Sequence, residues 1–387
     1  MDVNPSIEML IVQTTPFCNI DCTYCYLPNR NIKTKIDPDI ISRTVSLLTN
    51  AKWVGDSLSI VWHAGEPLAV GVEHLRKLIE ACAPFHDVTH LQHYVQTNAT
   101  LLTPQFCRFF KEKEIRIGIS LDGPKDLHDR KRLSRLKSGT FDKVMDGVQL
   151  LRGHQIGFSV ICVVGSDSLD RAEELYTFFE GIGAASVGFN IEEIEGTNTS
   201  TSMSQDDFFT RLARFWEDLF QIHYKRKSFV LREADTIVSA LRYPGRAKVH
   251  NQQANPFSIM TVSVGGEIGS FSPELLGQQH EKFGDFSIGN VRTATPESIL
   301  NNGRLNVMQS EIAAGVNRCA ATCEYFDLCG GGAPSNKLFE NGSFDSTETK
   351  YCRAVKKTVI DAMLVEARRQ RIIEQSQRRL NELVTAN

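Results

Sequence analysis

Three cysteines near the start of the chain, Cys18, Cys22 and Cys25, stand in a C-x3-C-x2-C spacing directly after a short apolar segment. Cysteine thiolates bind zinc and iron, and a closed site for a zinc ion or for an iron–sulfur cubane takes four of them. Three thiolates are one short of such a site. The spacing therefore implies either a distant fourth ligand or a coordination position that is left open for chemistry.

A second group of cysteines is complete, because it has four members in the spacing C-x3-C-x5-C-x22-C: Cys319, Cys323, Cys329 and Cys352. Four thiolates leave no vacant coordination position, so this group suits electron transfer or a structural role. Zinc would be satisfied equally well by the same side chains. Three further cysteines lie singly in apolar surroundings and are predicted to be core residues: Cys82, Cys107 and Cys162.

The composition is that of an ordinary globular protein, since 41% of the 387 residues are hydrophobic, 23% are charged and the formal net charge is -3. No apolar run is long enough to span a bilayer, and the first residues carry no secretory signal, so we predict a cytoplasmic protein without a membrane partner. The small net charge gives no field that would attract nucleic acid. In a reducing compartment, ten cysteines indicate metal binding or catalysis rather than disulfides.

The first half of the chain alternates short β-branched segments with amphipathic segments, the pattern of βα units around a parallel sheet. Strands are predicted over residues 9–14, 58–62, 93–97, 115–121, 157–164 and 186–191. Start signals between them predict helices over residues 39–48, 105–113, 141–152 and 169–181. Six such repeats indicate an α/β partial barrel, in which ligands bind beyond the carboxyl ends of the strands.

Four segments follow successive predicted strands at those ends: 18–25, 63–67, 96–98 and 120–124. Each of the last three alone is explained by an ordinary turn or loop, since Gly-Glu-Pro and Asp-Gly-Pro are common turn sequences. Because the carboxyl ends of parallel strands meet at one edge, their shared position instead favours a single site there.

The pattern changes after the sixth strand, where residues 196–202 are predicted to form a polar linker, followed by a helix that Met203 or Ser204 caps and that runs to Tyr224. Further along, short strands are predicted over 258–264 and 287–291, a helix near 297–301 and a C-terminal helix from residue 353. We therefore divide the chain into four parts: a barrel over 1–202, a helical bridge over 203–254, a cysteine domain over 255–352 and a C-terminal helix over 353–387.

The run Cys18-x3-Cys22-x-Tyr24-Cys25 resembles the signature of the radical S-adenosylmethionine (SAM) superfamily, including the aromatic residue before the third cysteine. The resemblance implies a partial (β/α)6 TIM barrel in which the three cysteines bind a [4Fe-4S] cluster. SAM would occupy the open iron, which explains the missing fourth ligand.

The strand-end segments are similar to the SAM-binding motifs of that superfamily. Gly65, Glu66 and Pro67 resemble the motif that receives the amino group of the methionine moiety, although His63-Ala64 stands where a glycine often precedes. The resemblance implies further contacts with SAM: Ser120 and Asp122 with the ribose, Tyr24 with the adenine, Thr97 and Asn98 at the cavity mouth, and Arg132 with the carboxylate. For His63 we expect a packing role rather than catalysis.

The second cysteine region resembles the SPASM extension of peptide-modifying radical SAM enzymes, whose full pattern binds two auxiliary clusters. Cysteines of that pattern are replaced here by Phe257-Ser258, by Ser270-Phe271-Ser272 and by Gly330-Gly331-Gly332-Ala333. One auxiliary site is therefore predicted to be lost, and the four cysteines of the second group are predicted to hold one auxiliary [4Fe-4S] cluster. Three residues separate Cys319 from Cys323, whereas the SPASM pattern leads us to expect two.

Within this group, the chain is most similar to the cyclophane-forming, GrrM-like maturases of ribosomally synthesised peptides, on the runs from Cys329 to Lys337, from Thr347 to Arg353 and from His63 to Pro67. This implies that a 5′-deoxyadenosyl radical takes a hydrogen from a side-chain β-carbon of a ribosomal precursor peptide. That carbon then joins an aromatic ring of the same motif. An electron donor such as flavodoxin or ferredoxin would reduce the first cluster.

Restoring the aromatic ring releases an electron and a proton. The auxiliary cluster is a natural acceptor for the electron, and the candidates for the base are acidic residues at the end of the sixth strand: Glu192, Glu193 and Glu195. A solvated loop or a contact with peptide amides is the alternative for this acidic segment. Because the chain begins almost at its first strand, we expect no separate N-terminal domain that binds a leader peptide.

Three other functions are consistent with parts of the pattern. A sulfatase-type maturase, which oxidises a serine or cysteine to formylglycine, shares the architecture but resembles the pattern with both auxiliary sites. A thioether-forming maturase is closer to this sequence. A non-enzymatic metal-binding interaction module accounts for the cysteines but not for the strand-end motifs, and it predicts no SAM cleavage.

Overall fold

The computed structural model describes residues 5–242 and 251–385. The strands of this part are β1 (Ile7–Gln13), β2 (Ile20–Cys22), β3 (Val54–His63), β4 (His90–Thr97), β5 (Arg116–Ser120), β6 (Arg132–Ser134), β7 (Phe158–Val164), β8 (Ser186–Ile191), β9 (Val230–Leu231), β10 (Ile259–Val262), β11 (Glu267–Ser270) and β12 (Gly289–Asn290). The helices are α1 (Pro38–Asn50), α2 (Val72–Glu80), α3 (Pro104–Glu112), α4 (Lys125–Lys131), α5 (Phe141–Gly153), α6 (Ala172–Ile182), α7 (Phe208–Arg226), α8 (Arg232–Arg242), α9 (Pro296–Leu300), α10 (Gly303–Thr322), α11 (Phe326–Cys329), α12 (Pro334–Asn341), α13 (Lys350–Cys352) and α14 (Thr358–Thr385).

The centre of the main sheet is parallel and runs in the order β1-β3-β4-β5-β7-β8. These are the six predicted strands, so the α/β prediction is confirmed. Leu10, Ile11 and Val12 of β1 are all buried, because both faces of a parallel sheet are covered. The side chains of Asp37 and Thr103 cap helices α1 and α3, each directly before a proline, as the start signals predict.

The second region joins the same sheet. Strand β10 pairs in parallel with β1, with Ile259 opposite Met9, and the antiparallel strands β11 and β12 extend the sheet beyond it. At the other edge the short β9 pairs with β8. The proposed division at residue 255 stays a prediction, and hydrogen bonding between strands continues across it.

Helix α7 begins later than predicted. Its first residue is Phe208, whereas Met203 and Ser204 belong to a single 3-10 turn in which the Thr201 hydroxyl accepts from the Met203 amide at 3.2 Å. The turn stops because Gln205 has an extended backbone, with ψ of 141°. The prediction that Met203 or Ser204 caps the long helix is therefore wrong.

The predicted C-terminal helix is confirmed as α14, which packs against α7 and follows a π-helical turn over Arg353–Lys357. The three isolated cysteines are fully buried, as predicted: Cys82, Cys107 and Cys162. No helix in the described part of the chain is long and apolar enough to cross a membrane.

Candidate functional site

The three cysteines of the first group lie on the segment that follows β1. Cys22 ends β2, which pairs with β6 so that Cys22 lies opposite Arg132. Arg135 holds the start of the loop, because its Nε and Nη2 donate to the Cys18 carbonyl at 2.8 and 2.6 Å. Together with Cys25, these cysteines line a cavity of about 920 Å³, open mouth included, at the carboxyl ends of the parallel strands. This size is in the range of cofactor pockets.

The donor set of this cavity fits an iron–sulfur cubane. Burial raises the pKa of the Cys18 thiol to about 12 and that of the Cys22 thiol to about 11. Binding iron requires the thiolate, and the positive charge of the metal offsets the cost of burying it. Within residues 5–242 and 251–385, no three Cys, His, Asp or Glu side chains converge on a single metal ion. A cubane needs no such convergence, because each cysteine binds a different iron.

The 63–67 segment packs directly against the cysteine loop, and this close approach requires glycine. Gly65 has a left-handed backbone with φ of 55°, and a Cβ there would lie 2.4 Å from the Phe17 carbonyl oxygen. The Glu66 amide donates to the same carbonyl at 2.8 Å, and Pro67 then begins a 3-10 turn. The two strand-end segments thus form one unit.

The buried Glu66 carboxylate ties neighbouring strand ends together. It accepts from the Thr97 hydroxyl at 2.6 Å, from the Asn98 amide at 2.8 Å and from the Leu68 amide at 3.0 Å. Burial nevertheless raises the pKa of Glu66 to about 7, and no cation among the described residues pairs with it. An ammonium group in the cavity would supply that charge, which suits the predicted contact with the amino group of SAM.

Asp122, Tyr24 and Arg132 form one buried network beside the cysteines. The Tyr24 hydroxyl donates to Asp122 Oδ2 at 2.6 Å, and Arg132 Nε lies 3.0 Å from the same oxygen. The Val163 amide donates to the other Asp122 oxygen at 2.9 Å. Tyr24 and Arg132 line the cavity, whereas Asp122 lies behind its wall. Asp122 thus holds Tyr24 and Arg132 in place, and its predicted contact with the ribose stays a prediction.

Ser120 lies on the cavity wall and accepts from Gln96 Nε2 at 3.0 Å. Gln96, which belongs to the predicted strand-end segment 96–98, also lies on the wall, and Gly118 on the next strand leaves room for its side chain. A Cβ at Gly118 would lie 2.2 Å from Gln96 Oε1. His63 also lines the cavity, and burial lowers its pKa to about 4, so its imidazole is neutral there.

The acidic segment after β8 is only partly exposed, because Glu192 and Glu193 are half-buried and Glu195 is buried. Glu192 pairs with Lys131 Nζ at 2.8 Å. Glu195 is 1% exposed and is not one of the residues that line the cavity, and no described group hydrogen-bonds to its Oε1. Glu193 lines the cavity, accepts from Asn336 Nδ2 at 2.5 Å and has its pKa raised to about 8 by burial. Of the three, Glu193 is the one on the cavity wall without a cationic partner among the described residues.

Residues 196–202, the predicted polar linker, contact the end of the cysteine loop, although Thr197, Thr199 and Ser200 are exposed. The Thr197 hydroxyl donates to the Cys25 carbonyl at 3.0 Å, and the Thr197 amide donates to the Tyr26 carbonyl at 3.1 Å. Asn198 is buried and donates to the Glu193 carbonyl at 2.5 Å. Thr197 therefore holds the end of the cysteine loop, and the division of the chain at residue 202 stays a prediction.

The four cysteines of the second group line another cavity, of about 590 Å³. Cys319 and Cys323 are one helical turn apart at the end of α10, where the Cys323 amide donates to the Cys319 carbonyl at 2.9 Å. Residues four apart share one face of a helix, which explains the x3 spacing. Cys329 ends α11 and Cys352 ends α13. The set fits a closed auxiliary cluster.

The positions of the missing cysteines are occupied by packed side chains and by backbone. Phe257 and Phe271 are core residues, and the ring centroids of Phe257 and Trp53 are 5.3 Å apart. Gly330, Gly331 and Gly332 all have positive φ, between 68° and 100°, a turn that successive residues with side chains rarely adopt. The described residues thus offer the cysteine ligands of one auxiliary cluster, and the loss of the other stays a prediction.

A family model described as "Radical SAM superfamily" matches residues 12–179. The chain is also 36% identical over 352 residues to uncharacterized protein sll1766 of Synechocystis sp. (strain ATCC 27184 / PCC 6803 / Kazusa), a match that covers 89% of this chain and 88% of that protein. The chain belongs to the radical SAM superfamily. The cofactors of this radical SAM protein are accordingly SAM and a [4Fe-4S] cluster, and its second cysteine group fits an auxiliary cluster.

Two further comparisons cover nearly the whole radical SAM protein. It is 25% identical over 369 residues to the cysteine-type anaerobic sulfatase-maturating enzyme of Clostridium novyi (strain NT), covering 91% of this chain and 94% of that enzyme. The structure described as native anSMEcpe with bound AdoMet and Cp18Cys peptide superposes with a TM-score of 0.76 at 20% identity, covering 94% of this chain and 98% of that one. The structural match confirms the predicted fold.

Proposed function

We propose that this radical SAM protein is a maturase that crosslinks a ribosomal precursor peptide, joining a side-chain β-carbon to an aromatic ring. The observation that carries the proposal is the pairing of an open three-cysteine site on a large cavity with one closed four-cysteine site. The similarity to anSMEcpe, which was solved with AdoMet and a peptide, supports a peptide as the substrate.

The proposed reaction removes two hydrogens from the peptide. When bound, SAM and the first cluster supply a 5′-deoxyadenosyl radical that takes one hydrogen atom, and the auxiliary cluster supplies an electron acceptor. The new carbon–carbon bond replaces the C–H bond of the β-carbon and one C–H bond of the ring, and the ring hydrogen leaves as a proton and an electron. An electron donor such as flavodoxin or ferredoxin would start each cycle.

The side chains of the cavity have separate proposed roles. Cys18, Cys22 and Cys25 would hold the first cluster, and the Glu66 carboxylate, fixed by Thr97 and Asn98, would attract the amino group of SAM. The remaining proposed contacts with SAM come from Tyr24, Arg132 and Ser120, which all line the cavity. The second cluster would be held by the other group: Cys319, Cys323, Cys329 and Cys352.

Glu193 is the proposed base, because it lines the cavity and is not neutralised by a described cation. We expect Glu193→Gln to lower crosslinking about 10²-fold or more, as removing a general base does, while SAM cleavage continues. Since only the carboxylate form accepts the proton, crosslinking in the wild type should rise with pH up to and through about 8. The measurement is the rate of crosslinked product and of 5′-deoxyadenosine between pH 6 and 9.

The matched control for this prediction is Glu281→Gln, which removes a carboxylate at an exposed position of the second region. It should leave both rates and their pH dependence unchanged. A Glu193→Gln enzyme that keeps the wild-type pH profile would show that another group takes the proton.

A sulfatase-type oxidation is the second candidate, and the similarity to a cysteine-type anaerobic sulfatase-maturating enzyme favours it. Against it stand Phe257 and Phe271, which occupy positions where the pattern with both auxiliary sites has cysteines. A thioether-forming reaction also removes two hydrogens, so product mass alone does not separate it from a crosslink between carbons.

The deciding experiment is anaerobic reconstitution with iron, sulfide, SAM, dithionite and the short peptide encoded beside the gene. The expected product has lost two hydrogens, and NMR shows a bond between a ring carbon and a β-carbon. A formylglycine residue or a carbon–sulfur bond in the product would contradict the proposal and identify one of the alternatives.

A further inference from the structure

Lys337 is a buried lysine whose charge has no carboxylate partner among the described residues. Its side chain is 4% exposed, and its Nζ lies 3.4 Å from Cys319 Sγ. Within residues 5–242 and 251–385, no Asp or Glu oxygen lies within ion-pair distance of it. A buried ammonium group is costly unless an anion compensates it, so the position requires negative charge nearby.

The cavity of the second cysteine group provides that negative charge when its cluster is bound. Lys337 lines the same cavity as the four cysteines, and an iron–sulfur cubane with four thiolates carries a net negative charge. The neighbouring Lys357 also lines this cavity, but its Nζ pairs with Glu348 at 2.6 Å. Lys337 thus lines the cavity of the second cysteine group, and no carboxylate of the described residues cancels its charge.

A cation that donates to a cluster thiolate favours the reduced state over the oxidised state. Reduction adds one electron, and the attraction between that electron and a nearby positive charge is strong where water is excluded. Hydrogen bonds to cluster sulfurs and local net charge are established determinants of cluster reduction potential. We propose that Lys337 raises the reduction potential of the auxiliary cluster and thereby makes it an effective acceptor for the electron released by the substrate.

The first turn of α12 also connects this lysine with the SAM cavity. The preceding residue, Asn336, donates to the proposed base Glu193 at 2.5 Å. Ser335 is buried next to it, and its amide donates to Ser272 Oγ at 3.4 Å. Adjacent residues of one helical turn therefore contact the group proposed to take the proton and a cysteine of the group proposed to take the electron.

This inference rests on the proposed function for its purpose but not for its test, which requires no peptide. The background protein carries Cys18→Ala, Cys22→Ala and Cys25→Ala, so that the auxiliary cluster alone contributes an EPR signal. The midpoint potential is measured by EPR-monitored redox titration with Lys337 intact and with Lys337→Met, Lys337→Gln or Lys337→Arg, after iron and sulfide analysis. We expect a more negative potential for the Met and Gln variants and a potential near that of the parent for Arg.

The matched control is the double variant Lys357→Met with Glu348→Gln, which removes a lysine from the same cavity together with its carboxylate partner. It should shift the potential less than Lys337→Met does. An unchanged potential in the Met and Gln variants would overturn the inference. So would loss of the cluster in both variants with the fold intact by circular dichroism, because Lys337 would then be needed for binding, or a site that takes zinc and no iron.

The same substitution in the otherwise wild-type enzyme separates this inference from the proposed function. Lys337→Met should still cleave SAM, but the amount of crosslinked peptide per 5′-deoxyadenosine should fall, and Lys337→Arg should restore it. Absence of any crosslinked product in the wild type would contradict the proposed function while leaving the measured potentials to decide the role of Lys337.

Discussion

The Cys18→Ala variant is expected to produce no detectable 5′-deoxyadenosine from SAM. Cys18, Cys22 and Cys25 are the thiols of the cavity at the carboxyl ends of the strands, and the two that remain cannot hold a cubane with an open iron. The measurement is chromatographic detection of 5′-deoxyadenosine after anaerobic incubation of the reconstituted protein with SAM and dithionite.

Cys82→Ala is the matched control, because Cys82 is a fully buried cysteine of the core and lies outside both cysteine cavities. Removing its sulfur should cost on the order of 1 kcal/mol of stability by leaving a small void, and SAM cleavage should persist. Cleavage by Cys18→Ala at the wild-type rate would refute the assignment of the three-cysteine site.

Unlike Cys18→Ala, the Cys329→Ala variant is expected to retain SAM cleavage but to form no crosslinked peptide. Cys329 lies at the end of α11 in the second cavity, separate from the residues that line the SAM cavity. With three thiolates the auxiliary cluster would be lost or opened, so the electron released by the substrate would have no acceptor. The measurement compares 5′-deoxyadenosine with crosslinked peptide in the same reaction.

The outcome also separates a redox role from a structural one for the second group. If Cys329→Ala yields no folded protein by circular dichroism, the four cysteines hold the fold together, as a zinc site would. If the variant folds and still forms crosslinks at the wild-type rate, the auxiliary cluster is not the electron acceptor.

The local patterns of the first half of the chain were sufficient to predict its strands. Each predicted strand corresponds to a strand of the parallel core, and 186–191 matches β8 at both ends. The pairing of β10 with β1 was not predictable, because the paired residues are about 250 positions apart in the sequence. A local pattern does not indicate which distant strand will pair with it. The three-residue strands β2 and β6 were missed because only their pairing with each other defines them.

Position along a strand was enough to predict which candidate residues share a cavity. Cys18, Glu66, Thr97 and Ser120 all line one cavity, because each follows or ends a parallel strand. Burial was harder to predict. Glu195 and Asn198 are polar residues of a predicted loop and linker, yet both are buried.

The contacts of Asp122 and Lys337 also required the structure. Asp122 follows β5 just after Ser120, and its carboxylate accepts from Tyr24 and from the Val163 amide. Lys337 is separated from Cys319 by 18 residues, and the Gly330–Gly332 turn brings the two together. Neither arrangement follows from spacing in the sequence.

The most direct test of the account is the effect of SAM on the EPR spectra of the two reduced clusters, recorded separately. The Cys329→Ala protein reports the three-cysteine site, and the protein with Cys18, Cys22 and Cys25 replaced by alanine reports the four-cysteine site. We expect SAM to change the spectrum of the three-cysteine cluster, because one of its irons has a free coordination position. The spectrum of the four-cysteine cluster should stay unchanged. If SAM leaves the EPR spectrum of the three-cysteine cluster unchanged, or alters that of the four-cysteine cluster, the division into an open site and a closed site is contradicted.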